Sequence, residues 1–345
     1  MKAFSRLLIL LAVLRAACGC EQDRYIVASG YAQGGIYSVK MNLRGVRERP
    51  AVIRHTIDSL LTEIDNTLSG YNKGSQLSRF NRGEDISPNA MFRDIYSRSY
   101  AFWEETDGAL DVAAAPLFDA WGFGFSRDSL PSDETVARLL ATCGMKRLKG
   151  EFTDGQSLLK EPDGTRPSLN FNAVAQGYSC DVIAEYLRGI GVKDMLVDIG
   201  EIFCMGLNPE GKPWRLGVDR PEDGNNSPGA SIEGIWTSDG GPHGVVTSGN
   251  YRKFYVRDGR KYAHTIDPRT GYPVSHNLLS ATIVAGDATT ADAYATCCMV
   301  IGLNEAKALI EGRKDLEGYL IYDEDGKMKA WHSEGFNLTE ANENQ

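Results

Sequence analysis

Alternating and helical spacings of apolar residues predict a strand followed by a helix early in the chain. Residues 35–43, GIYSVKMNL, alternate with a period of two, as a half-buried β-strand does. In the next segment the apolar residues recur three and four positions apart, which predicts a helix with one buried face. That face consists of Ile53, Ile57, Leu60, Leu61, Ile64 and Leu68. We expect the helix to end at Ser69 and Gly70.

Capping residues predict further helices. Serine is favoured before the first turn of a helix, proline at its first position and glycine after its last turn. By these rules we expect helices from Ser87 and Pro88 to about residue 107, from Ser132 to Gly144, and over residues 173–191. A last long helix is expected over about residues 287–311.

The other patterned segments predict strands and loops. Residues 194–207, DMLVDIGEIFCMGL, are almost continuously apolar and predict one buried strand, and residues 221–231 predict an exposed, turn-rich loop. Two alternating runs meet at Asp258 and Gly259, which predicts a hairpin with His264 near the end of a strand. This order of elements predicts an α+β fold with mixed or antiparallel sheets and flanking helices.

The first twenty residues have the pattern of an export signal. Lys2 and Arg6 precede an apolar run that is too short to cross a bilayer, and small residues with Cys18 and Cys20 follow. This pattern predicts a signal peptide with a lipoprotein-type cysteine over residues 1–20 and one folded domain over residues 21–345. Because Arg15 interrupts the apolar region, an exported protein without a lipid is the alternative.

Charge and cysteine content narrow the classes of function. The formal net charge is −9 and no run of Lys or Arg occurs, so the basic surface of a nucleic-acid-binding protein is not expected. The cysteines beyond Cys20 form no Cys-x-x-Cys pair, so neither a disulfide framework nor a zinc site is predicted. We expect most of them to be small buried apolar residues: Cys143, Cys180, Cys204, Cys297 and Cys298.

His264 is the first candidate for chemistry. It precedes the segment DPRTG, residues 267–271, whose Asp, Pro and Gly suit successive positions of a type I turn. Turn geometry therefore explains this segment without any reaction. It does not explain a histidine on a strand of apolar and aromatic residues, and that histidine is either a hydrogen-bonded core residue or a reactive group.

Asp292 and Thr296 form a second candidate pair. They are four residues apart on a predicted helix, so they project from one face and offer the hard oxygen ligands that Mg²⁺ accepts. We expect Asp292 to be partly exposed to such a site. In the structural alternative, the helix dipole favours an early acidic residue and Thr296 bonds to the carbonyl four residues earlier.

Three further segments offer contacts to a ligand. Asn170 and Asn172 precede a small-residue helix start that suits a phosphate, although an ordinary capped helix has the same residues. Tyr71 follows a helix end and either stacks on a planar ligand or covers the edge of the core. Asp111 lies in a segment of small and aromatic residues that is either a ligand-binding loop or a packed crossing.

The order of these segments along the chain resembles the ApbE family of FAD:protein FMN transferases. The similar blocks are LSGYNKGSQLSRFN, DGALDVAAAPL, VAQGY, LVDIGEIF, VTSGNYRKFYVRDGRKYAHTIDPRTGYPV and TADAYAT. HTIDPRTGYPV and TADAYAT are the most specific, and the similarity runs from about Gly30 to Gly302. The resemblance implies an ApbE-like, T-fold-related architecture.

The resemblance implies a reaction and assigns residues to it. Family members cleave FAD with Mg²⁺, attach FMN to a threonine hydroxyl of a target protein and release AMP; with water in place of the hydroxyl, FAD gives FMN and AMP. His264 is implied as the catalytic base, and the cation is implied to bind the carbonyl of Ala173 with Asp292 and Thr296. The implied flavin-nucleotide contacts are Gln33, Tyr71, Ala109, Leu110, Asp111, Asn170, Gln176 and Ile266.

Three positions depart from the family pattern. Gln33 stands where a Met-Gly-Thr motif has methionine, Asn170 stands where an acidic residue is often expected, and Gln176 occupies a commonly charged position. These changes bear on nucleotide affinity and on the charge balance at the metal. The base and both side-chain metal ligands are retained.

The resemblance also implies partners and a location. The expected partners are FAD and flavinylated proteins such as subunits of membrane redox pumps. The expected location is the periplasmic side of the bacterial inner membrane, with a lipid anchor. The alternative function is a flavin-binding lipoprotein that stores or delivers the cofactor with little turnover.

Overall fold

The computed structural model describes residues 24–123, 130–153, 158–161, 164–221, 231–250, 254–257, 260–263 and 265–340. Its centre is an eight-stranded sheet in which all neighbouring strands are antiparallel. In spatial order the strands are β1 (Tyr25–Ala32), β2 (Gly35–Asn42), β3 (Met195–Asp198), β4 (Ile202–Met205), β7 (His243–Gly249), β12 (Leu278–Ala285), β13 (Leu316–Glu324) and β14 (Lys327–His332).

Three smaller sheets surround this centre in the described part of the chain. One has three antiparallel strands, and the other two are two-stranded hairpins. The three-stranded sheet consists of β5 (Arg215–Asp219), β6 (Ile232–Thr237) and β15 (Leu338–Glu340). The hairpins consist of β8 (Phe254–Arg257) with β9 (Arg260–Ala263), and β10 (Ile266–Asp267) with β11 (Tyr272–Pro273).

Helices cover the central sheet, so the predicted α+β class is confirmed. They are α1 (Pro50–Leu68), α2 (Gln76–Asn81), α3 (Ala90–Glu105), α4 (Ala115–Ala120), α5 (Asp133–Thr142), α6 (Ala175–Gly189), α7 (Ala288–Ile301) and α8 (Leu303–Glu311). A 3₁₀ turn spans Met145–Arg147. None of the helices that the structure describes is both long and apolar enough to cross a membrane.

Alternation along the central strands divides the buried residues between two cores. In β3, Met195 and Val197 belong to the large core beneath α1, α3, α6 and α7, whereas Leu196 belongs to a second core. That second core lies against the three-stranded sheet, from which Leu216 and Trp236 contribute side chains. The middle strands of the sheet are therefore buried on both faces, and α7 packs directly on β7 and β12.

Several predicted elements are confirmed. Helix α1 buries most of its predicted apolar face, with Leu60 half-buried, and it ends at Leu68. Ser132 caps α5, and β8 pairs with β9 across the predicted hairpin. The cysteines of the described part are free, and all except Cys143 are buried.

Three predicted boundaries were wrong. Helix α3 begins at Ala90, because Asn89 and not Ser87 caps it by accepting a hydrogen bond from Phe92 N at 2.9 Å. The predicted strand over residues 194–207 is the hairpin β3–β4, which turns at Gly200 with φ +97°. The predicted long helix is divided into α7 and α8 at Gly302, whose φ of +82° ends a right-handed helix.

The signal peptide, His264 and most of the predicted loop at residues 221–231 lie outside the described residues. These three predictions, and the domain boundary at residue 21, stay predictions.

Candidate functional site

A cavity of about 380 Å³ lies where α7, the end of β7 and the segment before α6 meet. It gathers most of the residues to which the sequence assigned a ligand or metal role. They are Tyr71, Ala109, Leu110, Asp111, Asn170, Ala173, Gln176, Ile266, Asp292 and Thr296. Gln33 instead lines an adjoining groove of about 840 Å³, which shares Tyr71, Asn172 and Gln176 with the cavity. Thr265 and Ile266, which follow His264 in the sequence, line the cavity.

Close packing between α6 and α7 positions Asp292 at the cavity. Gly177 lies in the first turn of α6, and its N–H donates to Asp292 Oδ2 at 3.0 Å. A Cβ at Gly177 would lie 2.2 Å from the carbonyl oxygen of Ala288 and 2.9 Å from Asp292 Cβ. Only glycine therefore allows the two helices to approach this closely.

Asp292 is buried, with 5% of its surface exposed, so the expectation of a partly exposed carboxyl was wrong. The helix face that carries it packs on α6 and only its edge reaches the cavity. Burial raises the pKa of Asp292 well above its usual range, and the nearby carboxylates Glu201 and Asp181 raise it further, while the Gly177 hydrogen bond lowers it. A carboxyl in this setting ionises readily only when a cation is close.

The oxygen atoms around Asp292 fit a hard divalent cation. Thr296 follows Asp292 by one helical turn, and its Oγ1 lies 3.4 Å from Ser248 Oγ at the end of β7. Ala173, whose carbonyl is the third implied ligand, lines the same cavity. No group of three or more His, Cys, Asp or Glu side chains that could hold a metal occurs among the described residues. Carboxylate, hydroxyl and carbonyl oxygens are the donors that Mg²⁺ accepts, usually with water and phosphate.

Asp111 and Asn170 hold the wall of the cavity through backbone contacts. Asp111 Oδ1 accepts hydrogen bonds from Ala113 N at 2.8 Å and Met145 N at 3.0 Å, so this carboxylate ties the segment before α4 to the 3₁₀ turn. Asn170 is buried, and its Oδ1 accepts from Asn172 N at 2.9 Å. Both side chains therefore shape the cavity whether or not they touch a ligand.

Asp111→Asn should make stability less dependent on pH. Burial raises the pKa of Asp111 to about 6. Between about pH 4 and 6, Asp111 is therefore protonated in the folded protein and ionised in the unfolded chain. Stability of the metal-free protein should therefore fall as pH rises from about 4 to 6. Asp111 should lower the free energy of unfolding by about 2 kcal/mol over this pH range. This figure takes ~1.4 kcal/mol per pKa unit, with allowance for partial exposure. Asparagine keeps the Oδ1 acceptor and removes the charge.

Urea unfolding at pH 4 to 7 measures this effect, with Asp85→Asn as a control in which an exposed carboxylate is replaced. The same pH slope in Asp111→Asn as in the unsubstituted protein would show that Asp111 is ionised in both states.

Two glutamine side chains that line the groove form hydrogen bonds to the β3–β4 turn and to α6. Gln176 Nε2 donates to Ile199 O at 3.1 Å, in the turn between β3 and β4. Gln33 and Gly34 form the two-residue loop between β1 and β2, with φ values of 51° and 82°, and Gln33 Nε2 donates to Ser179 Oγ on α6. At these two positions, where the sequence departs from the family pattern, an uncharged amide thus forms a hydrogen bond to a neutral group.

Several cavity residues were missed in the sequence. Glu201 follows Gly200 in the β3–β4 turn and lies close enough to Asp292 to raise its pKa, but the prediction of one continuous strand concealed that turn. The others are Val112, Phe118, Phe123, Thr247, Ser248, Gly249, Thr265, Pro268, Met299 and Val300. The quoted blocks contain many of these residues, but nothing in their type or spacing marks them as cavity residues.

Comparison with known proteins decides the family. A sequence profile described as the ApbE family matches residues 34–320. The chain belongs to the ApbE family. The "FAD:protein FMN transferase" of Escherichia coli (strain K12) is 33% identical to this ApbE protein over 350 aligned residues, with 97% of each chain covered.

Solved structures with the same fold agree with this assignment. The "Flavin Transferase ApbE from Vibrio cholerae" superposes with a TM-score of 0.77 at 30% identity, covering 91% of this chain and 99% of the other. The apo form of "Pseudomonas stutzeri flavinyl transferase ApbE" gives a TM-score of 0.77 at 30% identity, covering 91% and 96%. The predicted ApbE-like architecture is therefore confirmed. The assignment of individual site residues stays a prediction.

Proposed function

We propose that this protein is an FAD:protein FMN transferase that moves the FMN half of FAD to a threonine hydroxyl of a target protein and releases AMP. One observation carries the proposal. The oxygen ligands implied for a cation and most of the contacts implied for a flavin nucleotide line a single cavity. Near full-length similarity to proteins named for this activity supports it.

In the proposed reaction the threonine oxygen attacks the phosphorus that carries the riboflavin side of FAD. The new bond joins that oxygen to phosphorus, and the bond from phosphorus to the oxygen shared with AMP breaks. The leaving AMP takes the electron pair, and the hydroxyl proton must move to a base. Such a transfer needs exact placement of the attacking and leaving oxygens more than it needs covalent help from the protein.

Asp292, Thr296 and the carbonyl of Ala173 are proposed to hold the divalent cation. A bound Mg²⁺ supplies neutralisation of the charge that builds up on the pyrophosphate oxygens. The chain contributes a buried carboxylate close to Glu201 and held by Gly177 N–H. A bound cation would stabilise the ionised form of this buried carboxylate.

His264 is proposed as the base that accepts the hydroxyl proton. Two observations support this assignment: the histidine precedes the specific DPRTGYPV block, and the next two residues line the cavity. The turn after it is firmly built, since Asp267 O accepts from Gly271 N at 2.8 Å and the Asp267 carboxylate pairs with Arg269.

Tyr71 is proposed to contact the isoalloxazine ring of FAD. Its side chain is 72% exposed and lines both the cavity and the groove. We expect flavin fluorescence to be quenched on binding, since an aromatic face can stack on a planar ring. The quenching should largely persist in Tyr71→Phe and partly disappear in Tyr71→Ala. Equal quenching in all three proteins at saturating protein would place the ring elsewhere.

Release of AMP tests the function directly. The transferase should release AMP from FAD with Mg²⁺, and a threonine-containing acceptor should accelerate the release. Hydrolysis of FAD to FMN and AMP is the proposed side reaction when water replaces the hydroxyl, and it gives AMP without an acceptor. A flavin-storage protein would bind FAD and release almost none. Omission of Mg²⁺ is the control.

Export and lipid anchoring are proposed from the first twenty residues alone. Lys2, Arg6, the short apolar run and the following cysteines support them. A periplasmic location would place the enzyme beside flavinylated subunits of membrane redox pumps, which are its proposed targets. Mass spectrometry of the mature N-terminus tests this proposal, because a diacylglyceryl group on Cys18 or Cys20 is the expected result.

A further inference from the structure

Asp181 links α6 to the beginning of α7. Its Oδ1 accepts a hydrogen bond from Ala288 N at 2.8 Å, and its Oδ2 accepts from Thr289 N at 2.8 Å. The hydroxyl of Thr289 also donates to Oδ2. One carboxylate thus binds two backbone donors and one side-chain donor of a neighbouring helix.

This link is additional to the normal cap of α7. Asp287 already serves as the N-cap, since its Oδ1 accepts from Thr290 N at 2.9 Å and its Oδ2 accepts from Thr290 Oγ1 at 2.8 Å. Arg98 of α3 pairs with Asp287 and lies 3.8 Å from Asp181 Oδ2. The arginine therefore supplies the positive charge that lets two carboxylates share one helix end.

The ionised form of Asp181 is electrostatically unfavourable at the start of α7. Burial and the neighbouring Asp287 raise the pKa of Asp181 to about 6, although the hydrogen bonds from α7 oppose this shift. An apolar residue would pack the two helices without that cost. Unlike an apolar contact, the carboxylate forms directional hydrogen bonds to particular atoms of α7.

The link lies on the same side of α6 as the contact at the cavity. Gly177 and Asp181 are four residues apart and face α7 together. Gly177 N–H holds Asp292, while Asp181 holds Thr289, three residues earlier on α7. Two attachment points one helical turn apart define both the rotation and the height of α7 relative to α6.

We propose that Asp181 is a positioning residue that holds α7 in the register at which Asp292 and Thr296 meet the cation. This inference rests on the proposed function for the existence of the cation site. Asp181 does not itself line the cavity. It acts through Ala288 and Thr289, and removing it lets α7 shift against α6 while Asp287 still caps the helix.

Equilibrium binding of Mn²⁺, followed by electron paramagnetic resonance without FAD, tests the inference independently of turnover. Loss of a residue that orients a metal ligand typically weakens binding 10- to 100-fold. We expect a weakening in this range for Asp181→Ala. Asn89→Ala removes the N-cap of α3, which does not line the cavity, and serves as a control for general loss of stability. Its Mn²⁺ affinity should stay within about twofold of the unsubstituted protein.

Thr289→Val separates positioning from simple charge. It removes one hydrogen bond to Asp181 and leaves the carboxylate in place, so we expect Mn²⁺ binding to weaken about 3- to 10-fold. If Asp181→Ala weakens binding and Thr289→Val does not, Asp181 attracts the cation by its charge and the positioning role is wrong. Unchanged binding in both variants also overturns it.

Mn²⁺ binding by the unsubstituted protein tests the cation site itself. If that protein binds no Mn²⁺, the cation site of the proposed function is wrong, and the inference about Asp181 falls with it. If Asp181→Ala fails to fold, Thr289→Val decides alone, since it removes only the hydroxyl donor and leaves the backbone bond from Thr289 N to Asp181 Oδ2 in place.

Discussion

Replacement of Asp292 by asparagine should reduce Mg²⁺-dependent cleavage of FAD by roughly 10²- to 10⁴-fold, because a metal ion contributes several kcal/mol to charge stabilisation. Asparagine removes the charge that a cation needs and keeps an oxygen that accepts from Gly177 N–H. The fold should therefore survive. Asp292→Ala should lose as much activity and also stability, about 1–3 kcal/mol, because the buried N–H is left unpaired.

AMP release at saturating FAD and Mg²⁺ measures the first effect, and thermal unfolding measures the second. Asp323→Asn, on β13 and outside the cavity lining, is the matched control and should retain full activity. Full activity in Asp292→Asn would remove this carboxylate from the metal site. A large loss of stability in Asp292→Asn would instead make its role structural.

Replacement of His264 by alanine should reduce transfer by about 10²- to 10⁴-fold, the usual effect of removing a general base. The loss should fall on turnover, with affinity for FAD and Mg²⁺ nearly unchanged, since their proposed contacts are other residues. A histidine base acts when neutral. The rate of the unsubstituted enzyme should therefore rise through roughly pH 6 to 7, and the variant should lack this step.

Single-turnover transfer and FAD titrations over this pH range make the measurement. His332→Ala is the control, because His332 is exposed on β14 and does not line the cavity. If His264→Ala unfolds, or loses FAD while turnover per bound FAD is unchanged, the histidine is a structural residue.

Local patterns predicted the elements whose signals lie within the element itself. The apolar face of α1 follows from spacing alone, and Ser132 caps α5 as the sequence indicates. Two of the three boundary errors arose where a single backbone angle decides between two outcomes. The positive φ of Gly200 and Gly302 divides a predicted strand and a predicted helix, and composition does not reveal that angle.

The candidate site depended on the family resemblance more than on the residues taken singly. Asp292 and Thr296 have an ordinary structural explanation in the sequence, and only their shared cavity with Ala173 makes them a coherent ligand set. The burial of Asp292 against Gly177 was not foreseeable, because contacts between residues 115 positions apart leave no local pattern. The link from Asp181 to Thr289 was hidden for the same reason.

The central claim is that FMN is transferred covalently to a hydroxyl. FAD labelled with ³²P in the phosphate next to riboflavin, incubated with the protein, Mg²⁺ and a library of threonine-containing peptides, tests it most directly. We predict that label becomes covalently bound to these peptides with one AMP released per label, and that a library with valine in place of threonine stays unlabelled. Label found only in free FMN, or only in intact FAD, would contradict it.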